Sequence, residues 1–368
     1  MLQRPFKQAT NSRDGTVKKS IPLFAACAFT CGSTLANTSA HNGFLNVLLR
    51  YENDTEHLQL RDRERIRSII RAGVISTWSD TWQTQVRLSS GLKNQQNVPA
   101  ITLHRFNDQR IPDRDVYIDR AFATGKFNDI TLKLGKMPWG SKQVTDIFWD
   151  RDLNPIGASV DWKVNKAHSL HVSHLKPLDG SSDTTGTLNI VQWQYQFKMD
   201  DWSFGIMPWW AKFDSDPQAQ YATRDTQFDN QFVRVSAFAK YGQWQLGADV
   251  GKSIESDSEI FATGDVSNEF KGEDTSIAVE LRHGSLKHEG DTLTQFKAFH
   301  VERFGVIREF AQNAVARYTT ANVKGWDARV RHRISKNIWL GVRYSDTETL
   351  KGDAEQGKRF RIETQLSF

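Results

Sequence analysis

The residues in this chain best suited to chemistry are arginines, and what they suit is holding anions rather than breaking bonds. Arg329 stands six residues before Ser335, Arg343 six after Asn337 and Arg361 seven before Phe368. Arg50 follows Phe44 by six, Arg71 precedes Trp78 by seven and Arg87 follows Thr81 by six. Each occupies the polar parity of a segment in which apolar and polar residues alternate, so on strands all six point to one side. A guanidinium stays charged and offers five donors in a planar fork, a match for carboxylate and phosphate oxygens. Arg61, Arg63, Arg65, Arg67, Arg331 and Arg333 extend the same pattern. An acidic counterpart lies in residues 140–156, where Asp146, Asp150 and Asp152 accompany Phe148 and Trp149.

Other chemistries find little support. Gly247 to Ser253 is one residue short of a phosphate-binding loop and lies in a strand pattern with no helix after it. His168, His171 and His174 would share a helix face, but on a strand His171 points away from the other two, so no metal is expected. There is no nucleophile elbow and no His-Glu-x-x-His, and the residues call for no cofactor.

The elements that must position the arginines are short and alternating. Phe360 to Phe368 ends the chain as an unbroken alternation, with Phe360, Ile362, Thr364, Leu366 and Phe368 on one side and Arg361, Glu363, Gln365 and Ser367 on the other. Lipid outside and water inside demand that pattern, and an outer-membrane barrel would use the terminal Phe368 as an assembly signal. Tight turns are expected at Ser79-Asp80, Asn128-Asp129, Asn165-Lys166, Asp200-Asp201, Gly242-Gln243, near Ser285 to Gly290, and at Lys336-Asn337. Longer polar segments fall near 53–60, 92–113, 140–156, 177–186, 214–230, 255–273, 303–321 and 347–357. Seven turns and eight loops make 16 strands, an all-β transmembrane antiparallel up-and-down barrel with its long loops outside. The segments 114–126 and 202–213 alternate less cleanly, which suggests a bulge or an aromatic-lined interior. Trp78, Trp82, Phe127, Trp202, Tyr241, Trp244, Trp339 and Phe368 cluster at the tight-turn end, as a girdle at the lipid headgroups would.

Composition agrees once alternation is allowed for. Mean hydropathy is low, yet the chain carries 12 Trp and 22 Phe. Residues 1–36 read as a cleaved signal peptide, with Lys18 and Lys19 before an apolar run that closes on Thr34-Leu35-Ala36; cleavage after Ala36 or Ala40 fits. The alternative, a membrane anchor, needs about 20 apolar residues. Both cysteines, Cys27 and Cys31, fall in that segment. So do five of the basic residues and one acid, which reduces the formal charge of +5 to 43 basic against 42 acidic residues in 37–368. A nucleic-acid partner is therefore not indicated, and any electrostatic function depends on where charges sit.

The stretch from Arg120 to Trp162 resembles the putative porin family of Gram-negative outer membranes. The carriers are Arg120-Ala121-Phe122, the strand Ile130 to Met137 ending in Gly-Lys-Met, and Phe148-Trp149-Asp150-Arg151-Asp152-Leu153-Asn154-Pro155-Ile156-Gly157. Most relatives have Glu where this chain has Ile156. The resemblance implies a passive, water-filled channel for small hydrophilic solutes in the outer membrane, inserted by the barrel assembly machinery and forming a homotrimer. It also implies that the loop near 140–156 folds into the lumen with Asp146, Asp150 and Asp152, and the register of the arginines sets a basic wall of Arg50, Arg71, Arg87, Arg329, Arg343 and Arg361 opposite. At ~3.3 Å per residue and a tilt of ~40°, those arginines would lie roughly 15 to 18 Å above the periplasmic rim. An anion-selective, phosphate-type channel is the alternative within transport. A wall of arginines neutralised by Asp327 and Glu363 is the plainer reading of the same residues. A barrel enzyme such as a phospholipase would need Ser and His together at lipid level on the outer face, and no such pair is found.

Overall fold

A computed structural model describes residues 40–92, 98–106, 115–177, 186–214, 229–256, 269–312 and 315–368. The expected signal segment 1–36 lies outside them. The strands are β1 (Ala40–Thr55), β2 (Arg63–Thr77), β3 (Trp82–Gly91), β4 (Ile101–Arg105), β5 (Asp115–Phe127), β6 (Ile130–Lys136), β7 (Ile156–Lys163), β8 (His168–Lys176) and β9 (Thr187–Met199). They continue with β10 (Trp202–Asp214), β11 (Asp229–Tyr241), β12 (Trp244–Ser256), β13 (Thr275–Gly284), β14 (Thr292–Val301), β15 (Val323–Ser335), β16 (Ile338–Thr349) and β17 (Gln356–Ser367). Each long strand pairs antiparallel with its neighbours, and β1 pairs with both β2 and β17, which closes the sheet. Closure leaves no open edge in lipid, where an unpaired backbone group would cost several kcal/mol. The short β4 pairs with β2 above the end of β3, so the barrel proper has 16 strands. That small strand was not expected within 92–113.

The seven expected turns all connect paired strands. Asn128, Asp200 and Gly242 open two-residue hairpins at φ of 49°, 51° and 54°, a left-handed conformation that these residue types tolerate best. The alternation then sorts the faces. Ile362, Val342, Val250 and Val191 are exposed to the outside, while Arg361, Glu363, Arg343 and Gln192 are buried within. Phe368 is 66% exposed and locks the seam through reciprocal backbone bonds with Leu45 at 2.8 and 3.0 Å.

Seven of the eight expected girdle aromatics are exposed on the outer face. Trp339 is not: it occupies the inward parity of β16 and lies beneath Arg329 and Arg331, 5.6 Å from each guanidinium. A bulge appears where the alternation faltered in β5: register shifts opposite Arg87 and Leu88, which turns both Asp119 and Arg120 toward the interior. In β10 the other alternative holds, with Trp209 and Phe213 buried inside the barrel.

The segment expected to be a polar outer loop at 303–321 is a correction. It packs inward, and Val306, Ile307, Phe310, Ala311, Val315, Ala316 and Ala321 are all buried. With Met137, Ile147, Phe148, Trp149 and Leu153 of the loop after β6, and inward residues of β8–β11, β13, β14 and β15, they form one hydrophobic core inside the barrel. Apolar groups excluded from water by lipid on the outer face find a second dry environment here.

Candidate pore constriction

The segment 137–155 leaves β6 and returns to β7 through a neck closed by Met137 N–H donating to Pro155 O at 2.9 Å. Between those points it crosses the interior, held at both sides. At the near side Asn154 donates to Asp119 (2.7 Å) and accepts from Arg120 (2.8 Å), while Arg71 donates to Asp152 at 2.8 Å. Gln192 of β9 exchanges two 2.7 Å bonds with the backbone of Lys142. At the far side Asp249 of β12 accepts from the N–H of Val144 and from both N–H and hydroxyl of Thr145. Arg282 of β13 donates to Val144 O at 2.7 Å, and Lys297 of β14 pairs with Asp146 at 2.9 Å. Gly247 of β12 leaves the space: a Cβ there would stand 2.3 Å from Val144.

Aromatic packing fixes the middle. Trp149 is fully buried, stacked on Trp139 with centroids 4.2 Å apart, and its indole N–H donates to Leu153 O at 2.9 Å. Phe148 packs edge-on to Trp209 and Phe232, with the Arg234 guanidinium 4.6 Å above its ring. Phe310 of the second inward loop covers Trp149, and its carbonyl accepts from Asp150 N–H at 2.7 Å. Burying aromatics of this size contributes roughly 1.5–3 kcal/mol apiece, enough to hold a loop without regular structure.

The three acids are thus engaged rather than facing open water. Asp146 bonds Lys297 and Arg151, both at 2.9 Å. Burial would raise its pKa, but the neighbouring cations outweigh that and hold it far below the usual carboxylate range. Asp152 is depressed too, burial being outweighed by Arg71. Asp150 is 4% exposed and accepts from Asp152 N–H at 2.9 Å, which makes it a brace of the loop's own turn. The loop charges that stand in water are Lys142 and Arg151, the latter with its side chain 62% exposed.

The six expected arginines all lie on the inward face. Arg329, Arg343 and Arg361 are direct register partners across β15, β16 and β17. Arg50 and Arg329 share Glu363, each at 2.7 Å, and Arg343 pairs with Asp327 at 2.6 Å. Arg361 donates to the fully buried Glu52 at 2.6 Å, a carboxylate also bonded by Arg65. Arg87 pairs with Asp119. Over β1–β3 and β15–β17 the inward parity holds Arg50, Arg63, Arg65, Arg67, Arg71, Arg87, Arg329, Arg331, Arg333, Arg343, Arg359 and Arg361. Against those twelve stand four carboxylates of the same strand faces: Glu52, Asp54, Asp327 and Glu363. Asp119, Lys297, Asp249, Arg282 and Gln192, which seat the loop, were not singled out by sequence; their only signal is inward parity combined with a polar side chain. His171, also inward, is 1% exposed and bonds Asp161 at 2.7 Å.

Residues 35–205 match the sequence profile of a family described as putative porin. No curated protein sequence matches the chain. Among solved structures the fold is similar to the high-pH structure of Pseudomonas putida OprB, with a TM-score of 0.59 at 10% identity over 89% of this chain and 94% of that one. A mutant of the Rh. blastica porin gives 0.51 at 9% identity, covering 90% and 100%. Likeness at such identities concerns the fold. Ile156, where the family resemblance departs, is the first residue of β7 and 37% exposed, an apolar outward position. Residues 35–205 thus carry the profile of a putative porin family, and the closed antiparallel barrel runs on past them to Ser367.

Proposed function

We propose that the chain is an outer-membrane porin, a passive diffusion channel that favours anions, and that its narrow level lies where the loop 137–155 faces the arginine wall of β15–β17 and β1–β3. The observation that carries this reading is the excess of twelve arginines over four carboxylates on that wall. Low-dielectric walls focus such a field along the pore axis, so local charge outweighs the near-zero total for residues 37–368. The loop adds little negative potential, because Asp146 and Asp152 are neutralised by cations in contact with them. Arg50, Arg71, Arg87, Arg329, Arg343 and Arg361 accordingly act as the basic wall, and Asp146 and Asp152 as anchors of the constriction.

Purified protein in planar bilayers tests this. Stepwise conductance with a reversal potential on the anion side in a salt gradient is expected. A cation-selective pore would refute the preference, and lipid hydrolysis without conductance would refute the channel. A homotrimer, insertion by the barrel assembly machinery through Phe368, and removal of residues 1–36 complete the proposal. Cross-linking in membranes and the N-terminal sequence of the mature protein check them.

A further inference from the structure

Arg329 and Arg331 lie two residues apart on the inward face of β15. Glu363 is already shared by Arg50 and Arg329. Arg331 itself donates to a neutral partner, Gln295, at 2.6 Å, and among the described residues no carboxylate lies within ion-pair distance of it. The Nε atoms of Arg329 and Arg331 are buried and make no hydrogen bond. Beneath both guanidiniums lies the Trp339 ring, which fixes their planes.

Like charges gathered in this way repel, and unbonded donors lose their hydration for no return. Both costs vanish when an anion with several acceptor oxygens enters. A planar fork suits an oxyanion that accepts two parallel bonds, whereas a halide accepts at one point. Resting on the anion preference above, we propose that Arg331 and Arg329 form a binding site for the phosphate or carboxylate group of a small solute. Both reach in from the wall of β15, so the solute's charged group is held against that wall above Trp339.

The test is block of chloride current through the intact channel in a planar bilayer, with inorganic phosphate in one arm and acetate in the other. A saturable fall in chloride conductance in either arm is expected and names which oxyanion fits. Arg331→Gln should raise the half-blocking concentration about tenfold, as loss of one charge-assisted bond does, while Arg331→Lys keeps most of the block. Chloride selectivity should fall only slightly in Arg331→Gln, because the other wall arginines remain. Absence of saturable block in both arms, or block unchanged in Arg331→Gln, overturns the site. A wild-type channel that prefers cations overturns the underlying anion preference instead, so the two failures are separable.

Discussion

The two halves of the barrel interior are built to opposite rules. Along β8–β11 and β14 the inward positions include Leu175, Leu188, Ile190, Trp209, Ala211, Phe213, Phe232, Phe299 and Val301, all buried. Along β15–β17 and β1–β3 twelve of them are arginines. The backbone ladder is the same in both; only the inward side chains differ. Two loops settle on the apolar half because covering it gains burial energy, and they narrow the barrel with a dry core. The arginine half is held differently: Arg65, Arg87, Arg343, Arg359 and Arg361 are buried, but each against a carboxylate, since an unpaired desolvated guanidinium would cost several kcal/mol. On the reading proposed above, the passage runs along this charged half.

The comparison breaks most completely if the dry half is opened. Trp149→Ala removes the side chain on which Trp139 and Phe310 rest and should cost the loop about 3–5 kcal/mol. Single-channel conductance should rise and become noisy while heat-modifiable gel mobility of the barrel persists. Asp249→Ala leaves the Val144 and Thr145 donors unpaired, at about 1–3 kcal/mol each, and should give the same phenotype more weakly.

On the charged half the readout changes. Arg329→Gln with Arg343→Gln should lower the anion-to-cation permeability ratio by about two- to tenfold, seen as a shift of reversal potential without a change of conductance noise. Acidification sharpens the link between the halves. The folded pKa of Asp146 and Asp152 is depressed, so the stability they contribute is complete above the unfolded value and is lost only as pH falls through the folded one. Conductance noise should therefore stay at its neutral-pH level down to about pH 4, near the unfolded carboxylate pKa. A step in noise between pH 6 and about 5 would show that the acids are not held by their cations. The smallest effect is expected outside the barrel: Trp244→Ala, on the outer rim and 51% exposed, should slow membrane insertion and leave both selectivity and noise unchanged.

Strands and turns were legible because alternation has a period of two and tight turns carry Asn, Asp and Gly; every expected turn joins two paired strands. The arginines were placed by the same count, and register puts Arg329, Arg343 and Arg361 side by side. Parity alone cannot say whether an inward face meets water or a loop. The segment 202–213, which ends on Phe213, therefore read as a bulge or an aromatic-lined interior and Phe232 was not singled out, although they seat Phe310 and Phe148. The second inward loop was hidden for a related reason: Val306, Ile307, Phe310 and Ala311 are interspersed with Arg303, Arg308, Glu309 and Arg317, and they signal burial only when read as a cluster. Trp339 misled because a ring near a turn suits a headgroup girdle, while its parity assigned it to the arginines above it. The acids of the loop were legible as residues, but their engagement with Lys297 and Arg71 depends on contacts between strands far apart in sequence.

Cysteine accessibility in the working channel tests most directly that the passage follows the charged half. The chain's two cysteines, Cys27 and Cys31, lie in the segment expected to be removed, so an introduced thiol reports alone. Gln295→Cys places one beside Arg331, and Ala211→Cys places one in the dry core. A small, water-soluble, negatively charged thiol reagent should change the current through the first variant within seconds to minutes and leave the second untouched. Rapid modification of Ala211→Cys with an inert Gln295→Cys would place the passage in the apolar half and contradict the account.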